Sequence, residues 1–152
     1  VTAPGSGAVH ATALVLGERG LLIRGPSGAG KSTLARRLIC RARDAGLFGR
    51  LVADDRTILL RAGGRLIARP VPAIAGVIEI RGIGLVRVPH EPACVVSLVV
   101  DLEAPPRLPT AAERRVEIAG IWLPRLAAAL PEAEDLIQWR IRDLNDTALA
   151  LP

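Results

Sequence analysis

The sequence predicts an α/β domain built on a mixed sheet, with hairpins and one main helix behind a glycine-rich loop. Three observations carry this. Short apolar, β-branched runs outnumber segments of helical period. Several of these runs are separated by tight glycine turns. The one strong helical pattern opens directly on the loop GPSGAGKST. The regular strand–helix alternation that would give an all-parallel sheet is missing.

Each element follows from local pattern. Ala8 to Leu16 (AVHATALVL) reads as a strand, Gly17 to Gly20 as a turn, and Leu21 to Arg24 as the returning strand. Ser32 to Ala45 places Leu34, Leu38 and Ile39 at helical spacing with arginines opposite, and Gly46 is a stop signal. Leu51 to Ala53 is a short apolar strand ending in Asp54-Asp55. Thr57 to Arg61 and Arg65 to Arg69 flank Gly63-Gly64, a two-residue hairpin signal. Val77 to Ile80 and Gly84 to Val88 are extended pieces around Arg81-Gly82, and Val95 to Leu102 (VVSLVVDL) is the strongest buried strand. Val116 to Leu123 reads as one further strand, and Pro124 to Leu151 as one or two helices.

With 152 residues, half of them hydrophobic, the expectation is one domain (1–152) with a substantial aliphatic core. Aromatic residues are only 2%, so Leu, Ile, Val and Ala must build that core. No apolar run is long enough to span a bilayer, and VTAPGSG does not resemble a secretory signal. Cys40 and Cys94 form neither a disulfide framework nor a zinc pattern. They read as small buried apolar residues in a reducing, cytoplasmic setting. The net charge of +5 comes from scattered arginines with almost no aromatics to stack on bases, which argues against nucleic acid.

Gly25-Pro26-Ser27-Gly28-Ala29-Gly30-Lys31-Ser32-Thr33 satisfies G-x-x-x-x-G-K-[ST] between a strand and a helix. Backbone N–H groups of such a loop form an anion nest, and the helix N-terminus adds its dipole. Lys31 is the only lysine in the chain. Its compact ammonium fits inside the nest against a migrating phosphoryl group, where a planar guanidinium does not. Ser32 offers a hydroxyl to magnesium, so ATP with Mg²⁺ is the expected ligand pair.

Asp54-Asp55 stands where a phosphoryl-transfer enzyme of this kind places a metal-binding acid or a base. Adjacent residues of a strand face opposite ways, which predicts different tasks for the two. Ile78-Glu79-Ile80-Arg81-Gly82-Ile83-Gly84 is a second feature. Its carboxylate and guanidinium, two apart, read by themselves as a surface salt bridge.

The ordered set of His10, GPSGAGKST, LVADD and IEIRGIG resembles the catalytic domain of bacterial HPr kinase/phosphorylase, over about His10 to Pro124. The resemblance implies a P-loop domain of the phosphoenolpyruvate-carboxykinase-like type. It implies transfer of the γ-phosphoryl of ATP to a serine of HPr, a carrier of the phosphotransferase system. By the same resemblance Lys31 contacts the phosphates, Ser32 and Glu79 hold magnesium, and Asp55 is the base with Asp54 beside it. His10 becomes an active-site histidine, and Arg107 matches the arginine of a late active-site loop. The departures are specific. There is no room for the family's N-terminal domain, as in short proteobacterial forms, and Pro26 stands where longer enzymes carry Asp. RLAAALPEAEDL replaces the V-P-V-x-x-G-R-N segment tied to the phosphorylase arm. That leaves the kinase as the expected activity and a homo-oligomer open. A nucleotide-binding regulatory module and a small-molecule kinase are the alternatives. Intact acids argue against the first, and the lack of a lid and of βαβ alternation against the second.

Overall fold

Leu21, Leu22 and Ile23 are all fully buried, as are Leu98, Val99 and Val100. Runs apolar on both sides need cover on both faces, and the architecture supplies it. The computed structural model describes residues 7–146. It contains β1 (Ala8–Leu16), β2 (Arg19–Arg24), α1 (Lys31–Asp44), β3 (Gly49–Ala53), β4 (Arg56–Ala62) and β5 (Arg65–Pro70). These are followed by β6 (Val77–Ile80), β7 (Gly84–Arg87), β8 (Cys94–Leu102), β9 (Arg115–Ile118), β10 (Ile121–Ala128) and α2 (Ala133–Asp146). No helix among the described residues is long and apolar enough to cross a membrane.

The main sheet has eight strands in the order β2-β1-β4-β5-β8-β10-β9, with β3 on β1. β2 also pairs with β8, so β1, β4, β5, β8 and β2 close a circuit. The long strands β1 and β8 make this possible by passing from one partner to the next. The start of β1 (Ala8, Val9, His10) pairs with β4, while Ala11 onward pairs with β2. Inside the circuit lie Ala11, Ala13, Leu22, Leu59, Leu66 and Val99. On the other side Leu14, Leu21, Ile23, Leu98 and Val100 pack on Leu34, Ala35 and Leu38 of α1 and Ile137 of α2. The alternation Leu21/Leu22/Ile23 is the period of two that a strand imposes. Burying each leucine stabilises the fold by about 1.5–3 kcal/mol.

Most expected elements are in place. Gly63 and Gly64 both have positive φ (57° and 72°), the requirement of the tight hairpin turn. α1 ends as a Schellman cap: Gly46 N–H donates to Arg43 O and Leu47 N–H to Ala42 O. Three expectations are corrected. Val116 to Leu123 is not one strand, because Ala119-Gly120 turns the chain and separates β9 from β10. The Ala/Leu run after Pro124 is strand rather than helix as far as Ala128, since Arg125 to Ala128 pair in parallel with β8. Pairing with a buried neighbour overrides the helical preference of Ala and Leu. One helix, α2, follows among the described residues. Cys40 is also exposed rather than buried, on the outer face of α1, and Cys94 is half-buried.

Candidate functional site

β2, β8 and β10 run parallel and end at one edge: β8 pairs in parallel with both β2 and β10. The carboxyl ends of parallel strands are where ligands of open α/β sheets bind, and the glycine-rich loop leaves β2 there. Gly30 caps α1 in the left-handed region (φ 98°, ψ 22°) with no side-chain cap. Its φ is what demands glycine; a Cβ there would also sit 2.6 Å from Leu130 Cδ1, and that side chain would have to shift. The first turn of α1 contains no acidic residue, so its positive end is open to an anion. Lys31 is only 5% exposed. Its Nζ donates to Gly25 O (2.8 Å) and Pro26 O (3.0 Å), which holds the ammonium inside the loop.

The acidic pair lies just past β3, and the backbone separates its two members. Asp54 is buried. Its Oδ1 accepts from the hydroxyls of Ser32 (2.5 Å) and Thr12 (3.1 Å), and its Oδ2 from Glu79 N–H (3.2 Å). Every donor is neutral, so the carboxylate keeps an uncompensated charge beside the loop hydroxyl. Asp55 takes a left-handed φ of 63°, tolerated by Asp but uncommon in other residues. Its N–H donates to Thr12 Oγ1 (3.2 Å), and its carboxylate turns out to solvent 3.8 Å from His10 Nδ1. One acid is thus held inside beside Ser32 and the other is presented at the surface.

Glu79 lies on β6 of a separate two-stranded hairpin, and its amide bonds that hairpin to Asp54. Its side chain is exposed, on the same hairpin as Ile83 and Leu85, which are 75% and 77% exposed. The expected Glu79–Arg81 salt bridge does not form among the described residues. Arg81 sits in the turn, past the end of β6, so the strand geometry that would align the two is lost.

A third carboxylate, Asp101, occupies the end of β8 next to the loop, the classical place for a metal-binding acid. Its charge is taken. Arg24 grips it with Nε on Oδ1 (2.7 Å) and Nη2 on Oδ2 (2.9 Å), and Arg125 Nε adds 2.6 Å on Oδ2. Burial pushes the carboxyl up, but hydrogen bonds and charge from Arg24 and then Arg125 outweigh it and hold the group below its ordinary value. Asp101 is thus bonded by two cationic side chains, whereas the hydrogen bonds to Asp54 come from two hydroxyls and an amide.

Residues 4–104 match the model of the HPr Serine kinase C-terminal domain. The chain belongs to that family. It is 33% identical over 109 residues to the HPr kinase/phosphorylase of Neisseria meningitidis serogroup C, covering 66% of this chain and 32% of that protein. It is 41% identical over 76 residues to the HPr kinase/phosphorylase of Mycoplasma mycoides, covering 50% of this chain and 22% of that protein. The chain thus spans a third or less of these relatives' length. A solved structure, that of the Hpr(Ser) kinase/phosphatase from Coxiella burnetii, superposes with a TM-score of 0.76 at 29% identity. That match covers 95% of this chain and 99% of the other. The mixed α/β fold is that of the family.

The family match ends at residue 104, before Arg107. Arg107 is exposed and lines a cleft with Arg125, Trp139 and Arg140. No hydrogen bond or ion pair among the described residues joins it to Lys31, Ser32, Asp54 or Asp55. Two elements of the site escaped the sequence reading. Thr12 is fully buried and bonds both acids; its one signal is a hydroxyl in an otherwise apolar run. The Arg24–Asp101–Arg125 cluster bonds residues 77 and 24 positions apart and leaves no local signature.

Proposed function

We propose that this chain is an ATP-dependent protein-serine kinase acting on HPr, built on a P-loop domain of the phosphoenolpyruvate-carboxykinase-like type. The convergence of Lys31, Ser32, Asp54 and Asp55 at one sheet edge carries the reading. The kinase and HPr in the names of the relatives support it. ATP phosphates would lie on the loop amides and Lys31. The Ser32 hydroxyl and Asp54 carboxylate are the oxygen donor set that a hard cation takes beside phosphates, with Glu79 next to them. Magnesium held there would neutralise charge on the phosphates. No larger cluster of His, Cys, Asp or Glu suited to a metal occurs among the described residues, and Mg²⁺ needs only one or two carboxylates here.

Transfer is in line. The serine hydroxyl of the acceptor attacks the γ-phosphorus, its proton passes to the exposed Asp55 carboxylate, and ADP leaves. Lys31 and the loop amides stabilise charge as it spreads. His10, beside Asp55, orients that carboxylate. Asp55 lies open at the surface, and the hairpin that carries the exposed Ile83 and Leu85 is bonded to its neighbour Asp54 through Glu79 N–H. That suits a hydroxyl carried on a protein better than a small metabolite needing enclosure.

The test is incubation with ATP, Mg²⁺ and purified HPr, followed by mass spectrometry. The expected result is one phosphoserine on HPr, lost when that serine is replaced by alanine. Strong transfer to a metabolite with none to HPr would overturn the reading.

A further inference from the structure

We infer that Asp101 is a positioning residue for the nucleotide, anchoring the root of the phosphate loop and the loop 103–114 to one carboxylate. The inference rests on the nucleotide-dependent reaction proposed above. Arg24, Asp101 and Ala127 are register partners across β2, β8 and β10, so the carboxylate sits centrally among three strand ends. On one side the two-pronged grip of Arg24 fixes the residue directly before Gly25, whose carbonyl accepts Lys31 Nζ. An unbroken chain of contacts runs from Asp101 through Arg24 and Gly25 O to the ammonium that would meet the phosphates. On the other side Arg125 holds Asp101 with Nε, Glu103 with Nη2 (2.6 Å) and Glu113 O with Nη1 (3.1 Å). Arg125 N–H also takes Arg114 O (2.7 Å). Both ends of the loop that carries Arg107 are therefore tied to the same hub.

Stability alone is a poor reason for such a cluster. Exchanging a buried ion pair for apolar residues of similar size is often neutral or favourable. What a forked guanidinium–carboxylate pair adds is fixed geometry, and here the geometry is that of the loop root. Without Asp101 two guanidiniums would face each other across the strand ends, and their repulsion would spread β2 from β10 where Gly25 begins.

The test uses the full chain and three variants: Asp101→Asn, Asp101→Glu and the double variant Arg24→Met/Asp101→Leu. ATP affinity with Mg²⁺ is read by calorimetry, and kcat and KM for each substrate by transfer to HPr. Asp101→Asn is expected to weaken ATP binding about tenfold, with KM for HPr unchanged within about twofold. Asp101→Glu should recover much of the loss. The double variant, in which Arg125 keeps Glu103 and Glu113 O, should fold and keep the weakened ATP affinity whether its melting temperature lies above or below that of Asp101→Asn, which separates positioning from folding and decides the matter if Asp101→Asn does not fold. ATP affinity within about twofold of wild type in folded Asp101→Asn or in the folded double variant overturns the inference. So does a loss that follows melting temperature alone. A wild-type chain that binds ATP but transfers nothing to HPr overturns the proposed function and leaves the calorimetry to judge the anchor.

Discussion

Asp54 and Asp101 flank the same loop, each at or just past a strand end, and each is largely buried, yet they do opposite work. Asp54 is met by two hydroxyls and one amide, all neutral. Asp101 is met by two guanidiniums. The first arrangement fixes the carboxylate while leaving its charge free for a cation. The second cancels the charge and spends the carboxylate on geometry. What distinguishes a site from a strut is therefore not the acid or its burial but the charge of its donors.

That contrast can be broken in the laboratory. The largest effect is expected at Asp54→Asn: transfer falls on the order of a thousandfold, while the melting temperature holds or rises, as is common when an unpaired site charge is removed. Kinase assay and thermal melting together check it. Equal loss of Mg²⁺ dependence in Asp101→Asn would abolish the distinction. Next comes Asp55→Asn, expected to cut transfer by about 10²–10⁴ with ATP affinity unchanged, read by single-turnover transfer beside calorimetry.

Asp101→Asn, beside its weakened ATP binding, should also register as stability, about 3 kcal/mol in a urea melt, the low end for a buried pair because Arg24 is a third exposed. Thr12→Val keeps shape but withdraws a donor from Asp54 and an acceptor from Asp55 N–H. It should cost about 1–3 kcal/mol, with a shift in the urea midpoint and little change in its slope. The smallest effect is in pH. The folded Asp101 carboxyl lies below its ordinary 3.8, so its contribution is whole above that value and drains away as pH falls through the lower folded one. Acid titration of stability should show this slope in the wild type and a shallower one in Asp101→Asn.

The two carboxylates also mark how far the sequence could be read. Asp54 stood out because LVADD follows a loop motif whose parts are contiguous, and contiguous motifs need no knowledge of pairing. Asp101 looked like the end of one more buried strand, because its meaning depends on register with Arg24 and on β10 lying beside β8. The strands up to β8 were legible for the same local reason: glycine turns and alternation announce themselves. The turn at Ala119-Gly120 did not, since Ala is a weak turn signal, and the Ala/Leu run after it carries a helical preference that only pairing with β8 reverses. Thr12 fell between these cases, visible as a residue but silent about its two acidic partners until β1 and β3 were adjacent.

The closed circuit of strands has a consequence in time. β2 emerges early in synthesis, but its parallel partner β8 is complete only at Leu102, and no local hairpin can stand in for it. Such distant pairings are slow to form because the intervening chain must be ordered first. The root of the phosphate loop therefore gains its β8 support only once residue 101 has been made, and a chain interrupted before that point carries the whole motif without the Asp101 grip on Arg24.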